Sequence, residues 1–227
     1  MSYLVSFDID NNLINSSAGH IESLILAIKD IYGLAASIDV INHHGMTDQE
    51  IILKILQHYD IDDEIVRAKL KSCMDHMQLH YAQIVQSENI VILEGVVKLL
   101  TQLDQKGFLL GLVTGNLETI ARAKLKKIGI NDFFKFGGFG SDHIRRTELV
   151  KIAIRRAGSQ FDLDDSNQIF HIGDAPQDMR AAREAGVTPI GVTTGIFSAD
   201  ELDAAGAYRV VPDLKNGDVI RKIMLGV

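Results

Sequence analysis

The stretch Phe108-Leu-Leu-Gly-Leu-Val113, running into Thr114-Gly115-Asn116, decides the architecture. Its nearly continuous apolar residues show no in-out alternation, as expected for a strand buried on both faces. Outward from it, strand and helix patterns alternate. A helix is expected near Val96 to Lys106 on one side and from about Leu117 to Ile128 on the other. Then come a strand near Phe133 to Phe136, a helix near Arg146 to Ala157 and the strand Gln168-Ile-Phe-His-Ile172. A helix over Asp178 to Ala185, a strand over Pro189 to Val192, a short helix near Ala199 to Ala204, a strand over Tyr208 to Val211 and a terminal helix complete the series. This alternation implies an α/β fold with a doubly wound parallel sheet.

The first strand of that sheet is at the other end of a long interruption. Tyr3-Leu-Val-Ser-Phe7 favours β structure and stops at the turn-forming cluster Asp8-Ile-Asp10-Asn-Asn12. From about Ser16 the period becomes helical, with Ile21, Leu24, Ile25, Ile28, Ile31 and Tyr32, and again with Ile51, Ile52, Ile55, Leu56 and Tyr59. Thr47-Asp-Gln-Glu50 before the second series has the form of a capping box. A third helix is expected from about Asp63 to Val85. The expected organisation is therefore a core of residues 1–15 and 91–227, interrupted by an all-helical insertion over 16–90.

Composition narrows the function classes. The chain has 227 residues, a formal charge of -7 and 46% hydrophobic residues, the profile of a soluble globular protein. Its single cysteine, Cys73, excludes an intramolecular disulfide and a thiolate zinc site, and a reducing cytoplasm is the default compartment. No run approaches the roughly 18 apolar residues of a membrane span, and no basic segment precedes the first apolar stretch. Without a basic stripe or clustered aromatics, extended nucleic-acid binding is not expected.

In an open parallel sheet the reactive groups lie beyond the carboxyl ends of the strands. The polar clusters in that position are Asp8-Ile-Asp10, Thr114-Gly115-Asn116, Arg145-Arg146 and Gly173-Asp174-Ala-Pro-Gln-Asp178. Asp8 and Asp10, two apart, would point to the same side of a continuing strand. Two like charges so close are costly unless a cation or a shared proton relieves them. Together with Asp174 they form an oxygen-donor set suited to Mg²⁺. Asp178 is at the expected start of a helix, where an N-terminal capping role competes with a site role. Thr114, Gly115 and Asn116, before a helix, can hold an anion. A basic group is needed opposite the carboxylates, and Arg146 is the first choice with Arg145 the second.

These segments resemble the haloacid dehalogenase-like hydrolase superfamily. Phe7-Asp8-Ile-Asp10-Asn-Asn-Leu13-Ile14 is similar to its first motif, Leu112-Val-Thr114-Gly115-Asn116 to its second and Ile172-Gly173-Asp174-Ala-Pro-Gln-Asp178 to its fourth. The stretch Phe136 to Val150 is similar to a subgroup close to phosphoglycolate phosphatases. The resemblance implies a Rossmann-like core with a type 1 helical cap, and a Mg²⁺-dependent hydrolase of small phosphorylated metabolites. It implies that Asp8 attacks phosphorus, Asp10 acts as acid and base, and Thr114, Gly115, Asn116 and Arg146 hold the phosphoryl group. Asp8, Asp10 and Asp174 would hold the metal and Asp178 would stand behind them.

The chain departs from that pattern at Asn11, Asn12 and Asn15 and by an arginine at the third motif. Asn11 tolerates a left-handed turn. Asn12 is bulkier than the usual threonine, which predicts a less well placed acid/base loop. These changes motivate a second reading, a weakly active or non-catalytic ligand-binding protein. A phosphomutase would use the same residues, and dehalogenation is disfavoured by Asp10. In the insertion, the loop His43-His44-Gly-Met-Thr47-Asp48 is expected to face the site, with His43, His44 and Thr47 as candidates for substrate selection. Other histidines, including His20, His76 and His80, read as surface or core residues, and His171 as buried in a strand.

Overall fold

A computed structural model describes residues 3–15, 18–161, 163 and 168–226 of the chain. Strand β1 (Tyr3–Phe7) is followed by α1 (Ala18–Tyr32), α2 (Asp48–His58), α3 (Asp63–Ile84) and α4 (Val96–Gln105). Then come β2 (Leu109–Thr114), α5 (Glu118–Lys127), β3 (Phe136–Phe139), α6 (Arg146–Gln160), β4 (Gln168–Gly173) and α7 (Pro176–Glu184). The chain ends with β5 (Thr188–Val192), α8 (Ala199–Ala204), β6 (Arg209–Val211) and α9 (Gly217–Leu225). All strand pairings are parallel, in the order β3-β2-β1-β4-β5-β6. The chain winds outward from β1 through β2 to β3, crosses back to β4 and winds outward again. The reversal falls between β1 and β4, where such sheets open a crevice beyond their carboxyl ends.

The unalternating strands are explained by two covered faces. Val5, Phe7, Leu110 and Leu112 pack with Leu99 and Leu103 of α4 and Ile220 and Met224 of α9. Their neighbours Leu4 and Val113, pointing the other way, pack with Leu149, Val150 and Ala153 of α6 and Ala181 of α7.

β3 lies three residues later than its expected position, and Asn131–Phe133 form a 3-10 turn instead. The strand is Phe-Gly-Gly-Phe because a backbone packs against it: a Cβ on Gly138 would sit 2.0 Å from the Leu149 carbonyl oxygen of α6. On the neighbouring strand a Cβ on Gly111 would sit 2.3 Å from the Phe136 ring, its register partner. Close approach outweighs the low β propensity of glycine here.

Between β1 and α4, helices α1 to α3 enclose a second apolar cluster that includes Leu24, Ile28, Ile52, Ile55, Met77 and Tyr81, joined by Ile120 of α5. Burying Ile52 and Ile55 completely contributes about 1.5–3 kcal/mol each. At the start of α2, the Thr47 hydroxyl accepts from the Glu50 amide at 3.3 Å. The other half of the expected capping box is not made: the Glu50 carboxylate pairs with Lys54 at 3.0 Å. Ser16 and Ser17, at the expected boundary of the insertion, lie outside the described residues. The chain on either side of the helices runs close and antiparallel at Ile14 and Ile92. There the Asn15 amide donates to the Val91 carbonyl at 3.0 Å, the Val91 amide donates to Asn15 Oδ1 at 2.8 Å and the Leu93 amide donates to the Leu13 carbonyl at 3.0 Å. No helix among the described residues is long and apolar enough to cross a membrane.

Candidate active site

The carboxyl end of β1 continues one residue beyond the strand, where the Asp8 amide donates to the Ile172 carbonyl at 2.9 Å. The chain then turns on the Ile9 carbonyl, which accepts from the amides of Asn12, Leu13 and Ile14. Past that turn the backbone is no longer extended, yet Asp8 and Asp10 line the same cavity, with the Asp10 carboxylate engaged by Lys124 and Asn116. Asn11 adopts the left-handed conformation expected of it, with φ 57°, and its carbonyl accepts a hydrogen bond from the Thr194 hydroxyl. Asn12 is fully buried, and its amide donates to the Asp8 carbonyl at 2.8 Å and the Ile172 carbonyl at 3.1 Å. The residue expected to loosen the loop instead ties it to β4, leaving Asn12 Oδ1 buried without a partner among the described residues.

Asp8, Asp174 and Asp178 bring carboxylate oxygens within 4.8 Å of one another, and all three are buried. One guanidinium faces them. Arg146, the first residue of α6, places Nη1 3.5 Å from Asp8 Oδ2 and donates to Asp178 Oδ1. Arg145 is 74% exposed in its side chain and turned to Glu148. Burial pushes the Asp8 carboxyl up to about 6, with the negative charge of Asp178 adding to the effect against the opposing pull of Arg146. Asp174 rises further, to about 8, through burial and then the charges of Asp8 and Asp178. Burial also works against ionised Asp178, but Arg146 and His171 outweigh it and hold that carboxyl below its ordinary value.

Asp178 is fully engaged. Its Oδ1 meets Arg146 and stands 3.4 Å from His171 Nε2, and its Oδ2 accepts from the Ala175 amide at 3.2 Å. His171, buried in its strand as expected, places Nδ1 3.0 Å from the Ser6 hydroxyl. Asp8 and Asp174 keep oxygen atoms for a ligand, and a close cradle surrounds the second: a Cβ on Gly195 would sit 1.9 Å from Asp174 Oδ2. Three carboxylates against one guanidinium leave an excess of two negative charges, and the donors are hard oxygens. That set fits a divalent cation such as Mg²⁺.

Asp10 lies outside this triangle. Its oxygens accept from Lys124 Nζ at 2.8 and 2.7 Å, and Oδ2 also accepts from Asn116 Nδ2 at 2.9 Å. Burial pulls the Asp10 carboxyl up, but Lys124 and His20 overcome it and hold the group below its usual value. Lys124 is completely buried, and its ammonium also donates to Asn116 Oδ1 at 2.7 Å and stands 3.0 Å from His20 Nδ1. His20 in turn places Nε2 3.1 Å from the Asp48 carboxylate, which accepts from the Leu117 amide at 2.8 Å. Sequence reasoning missed Lys124, His20 and Asp48. A signal for the first existed: Lys124 falls within the buried stripe of α5 formed by Ile120, Ala121 and Leu125.

A cavity of about 120 Å³ opens above these groups, lined by Asp8, Asp10, Arg146, Asp174, Gly115 and Asn116 from below and by His43, His44 and Ile51 from the helical side. Burial and then His44 push the His43 imidazole below its ordinary value. The His43 and His44 rings stack at 4.5 Å. Thr114 is completely buried beneath the cavity, where its hydroxyl accepts from Asn116 Nδ2 at 2.9 Å. Thr47 is buried too, its hydroxyl donating to the Ile144 carbonyl at 3.0 Å. It fastens α2 to the loop before α6 rather than facing the cavity. The helical side sits tightly on the second motif: the Asp48 amide donates to the Gly115 carbonyl at 2.9 Å, and a Cβ on Gly115 would sit 2.4 Å from the Met46 carbonyl oxygen.

Comparison with known proteins matches residues 5–192 to the family described as haloacid dehalogenase-like hydrolase. "Probable phosphatase IndB" of Dickeya dadantii is 26% identical over 222 residues, covering 93% of this chain and 90% of the relative. "Phosphoglycolate phosphatase" of Pseudomonas putida is 24% identical over 217 residues, covering 93% and 77%. A solved hydrolase from Pseudomonas syringae shares the fold with a TM-score of 0.68 at 24% identity, over 98% of this chain and 99% of that one.

Proposed function

The chain belongs to the haloacid dehalogenase-like hydrolases, and from that premise we propose that it is a Mg²⁺-dependent phosphatase of a small phosphorylated metabolite. The observation that carries this reading is the buried triangle of Asp8, Asp174 and Asp178 facing Arg146 at the winding reversal of the sheet. Phosphatase names among the relatives agree with it. The cavity of about 120 Å³ suits a small leaving group, since cavities of about 150 Å³ hold a molecule the size of benzene.

Asp8 and Asp174 would hold the cation, while Asp178 would orient Arg146 beside Asp8, where the phosphoryl group would lie. When bound, the cation neutralises charge on the carboxylates and on the phosphoryl oxygens. Arg146 and the backbone amide at Gly115 hold the phosphoryl group. An Asp8 oxygen attacks phosphorus and the bond to the leaving oxygen breaks, with Asp10 supplying that oxygen's proton. Water then attacks the aspartyl-phosphate, Asp10 takes the water's proton, and the Asp8–phosphorus bond breaks to release inorganic phosphate. Lys124 holds Asp10 ionised before substrate binds. An arriving phosphate dianion opposes that effect and raises the affinity of Asp10 for the proton it must carry.

Residues 16–90 act as a cap over a core of residues 1–15 and 91–227. The apolar cluster enclosed by α1 to α3 and the paired crossing near Asn15 and Val91 support that division. His43 and His44 face the leaving-group side of the cavity and select among substrates. A lone buried thiol at Cys73 suits a reducing cytoplasm.

The test is hydrolysis of an aryl phosphate with and without Mg²⁺, alongside Asp8→Asn. Turnover is expected to need the cation and to disappear in the variant; turnover that survives Asp8→Asn sinks the mechanism. Phosphate binding without turnover across a panel of sugar and glycolate phosphates would favour a ligand-binding protein on this scaffold.

A further inference from the structure

We propose that Asp30, His76 and His80 form a second metal site, separate from the catalytic cavity, that takes a transition-metal dication of the zinc type and joins α1 to α3. His76 and His80 are one turn apart on α3, flanking the buried residues Cys73, Met77 and Tyr81. Residues four apart share a helix face, the spacing by which two imidazoles chelate one ion. Asp30 rises from the last two turns of α1 to meet them, its Oδ2 2.7 Å from His80 Nε2 and 3.4 Å from His76 Nδ1. A zinc ion with ligands at about 2.0–2.1 Å and tetrahedral angles sets its ligand atoms about 3.3 Å apart. The two observed separations bracket that value, and all three ligand atoms lie within 4.8 Å of one another.

The donor set points to the class of ion. Two imidazoles and one carboxylate suit zinc and its transition-metal neighbours, whereas Mg²⁺ prefers oxygen alone. The surroundings favour positive charge. Asp30 stands near the carbonyl end of α1, where the helix dipole attracts cations, and Lys69 Nζ already approaches the Ile31 carbonyl there at 3.3 Å. The two histidines hold the Asp30 carboxyl below its ordinary value through their hydrogen bonds. The buried stripe of α3 fixes the backbone that carries both rings, so little ordering is left for binding to supply. Solvent reaches the cluster, with side-chain exposures of 42% for Asp30, 43% for His76 and 26% for His80, and water completes the coordination. The site is distant from the chemistry: His20, at the catalytic network, is ten residues earlier on α1, about 15 Å along the helix.

The experiment uses the full chain, stripped by chelation and returned to excess Mg²⁺ so that the catalytic carboxylates are filled. Zn²⁺ uptake is measured by equilibrium dialysis with metal analysis, and Co²⁺ is used as a visible-absorbing substitute. Wild type is expected to take up one more equivalent than His76→Ala/His80→Ala and to show cobalt absorption that the variant lacks. His43→Ala/His44→Ala should retain both. Asp30→Asn, nearly isosteric and exposed, guards against misfolding and should weaken Zn²⁺ by more than the roughly 10–100-fold that loss of an outer partner costs a metal site. Equal uptake by wild type and the His76/His80 variant, unchanged affinity in Asp30→Asn, or loss confined to the His43/His44 variant would each overturn the proposal.

Discussion

Replacing Lys124 with methionine removes a buried cation and keeps most of the side-chain volume. In the wild type its ammonium lies 2.8 and 2.7 Å from the two Asp10 oxygens and is completely shielded, while the Asp10 side chain is 22% exposed. At 2.7 Å and an effective dielectric of about 20, the bare attraction is about 6 kcal/mol. Desolvation offsets much of it, and breaking such a pair from one side typically costs about 3–5 kcal/mol. Partial exposure of Asp10 puts the expected loss at the lower end, near 3 kcal/mol, a large share of an ordinary total of about 5–15 kcal/mol. Most of that loss comes from the abandoned carboxylate, so Lys124→Met/Asp10→Asn should cost less than Lys124→Met alone, with a coupling of about 2 kcal/mol. Urea unfolding followed by circular dichroism, at one pH and one Mg²⁺ concentration, measures the cycle. Without the ammonium the Asp10 carboxyl rises toward its ordinary value or above, so the limb of the kcat/KM profile set by loss of the Asp10 proton should move to higher pH. Losses that add within about 0.5 kcal/mol, together with an unmoved limb, would refute the reasoning.

In metal-free protein, Asp8 and Asp174 have folded values of about 6 and about 8, above their unfolded 3.8. The folded state therefore binds more protons, and the stability they contribute is present below pH 3.8 and lost as pH rises through 6 and 8. Added Mg²⁺ should then raise the melting temperature more at pH 8 than at pH 5, and a shift independent of pH would contradict this. Arg146→Lys keeps the charge but loses the fork that spans Asp8 and Asp178; inhibition by inorganic phosphate should weaken by about tenfold or more, and unchanged inhibition would remove Arg146 from the phosphate site. Gly115→Ala drives a methyl against the Met46 carbonyl, a backbone atom with little room to yield. A loss of about 1–3 kcal/mol and faster amide hydrogen exchange at the start of α2 are expected, and unchanged exchange there would count against the tight seat of α2.

The parallel sheet was legible because a strand covered on both faces cannot alternate. Tyr3–Phe7 is the observed β1 and Leu109–Thr114 overlaps the expected second strand. β3 was misplaced because its two central glycines carry no strand preference; the reason they are there, the α6 backbone against Gly138, lies far off in the chain. Asp8, Asp10, Arg146 and Asp174 all reach the cavity because strand ends converge at the winding reversal. Side-chain direction was less accessible. The turn on the Ile9 carbonyl sends Asp10 toward Lys124, and the hydroxyls of Thr47 and Thr114 are consumed by inward hydrogen bonds that only the packed structure supplies. Lys124 was hidden by the habit of reading lysine as solvated, although its position among Ile120, Ala121 and Leu125 marked it as an exception.

The antiparallel crossing at Leu13–Asn15 and Val91–Leu93 has a mechanical and an evolutionary side. Two neighbouring strands of backbone make a strap: twisting about it is soft, while sliding along it must stretch several hydrogen bonds at once. The helical block joined to the sheet by such a strap is pinned to it again at the Asp48 amide on the Gly115 carbonyl and the Thr47 hydroxyl on the Ile144 carbonyl. The same adjacency means that the block leaves the sheet where it rejoins it, so a block of another length or sequence can be spliced between residues 15 and 91 without displacing a strand. Descendants of this chain can thus change what the helices admit while the carboxylates beneath them stay as they are.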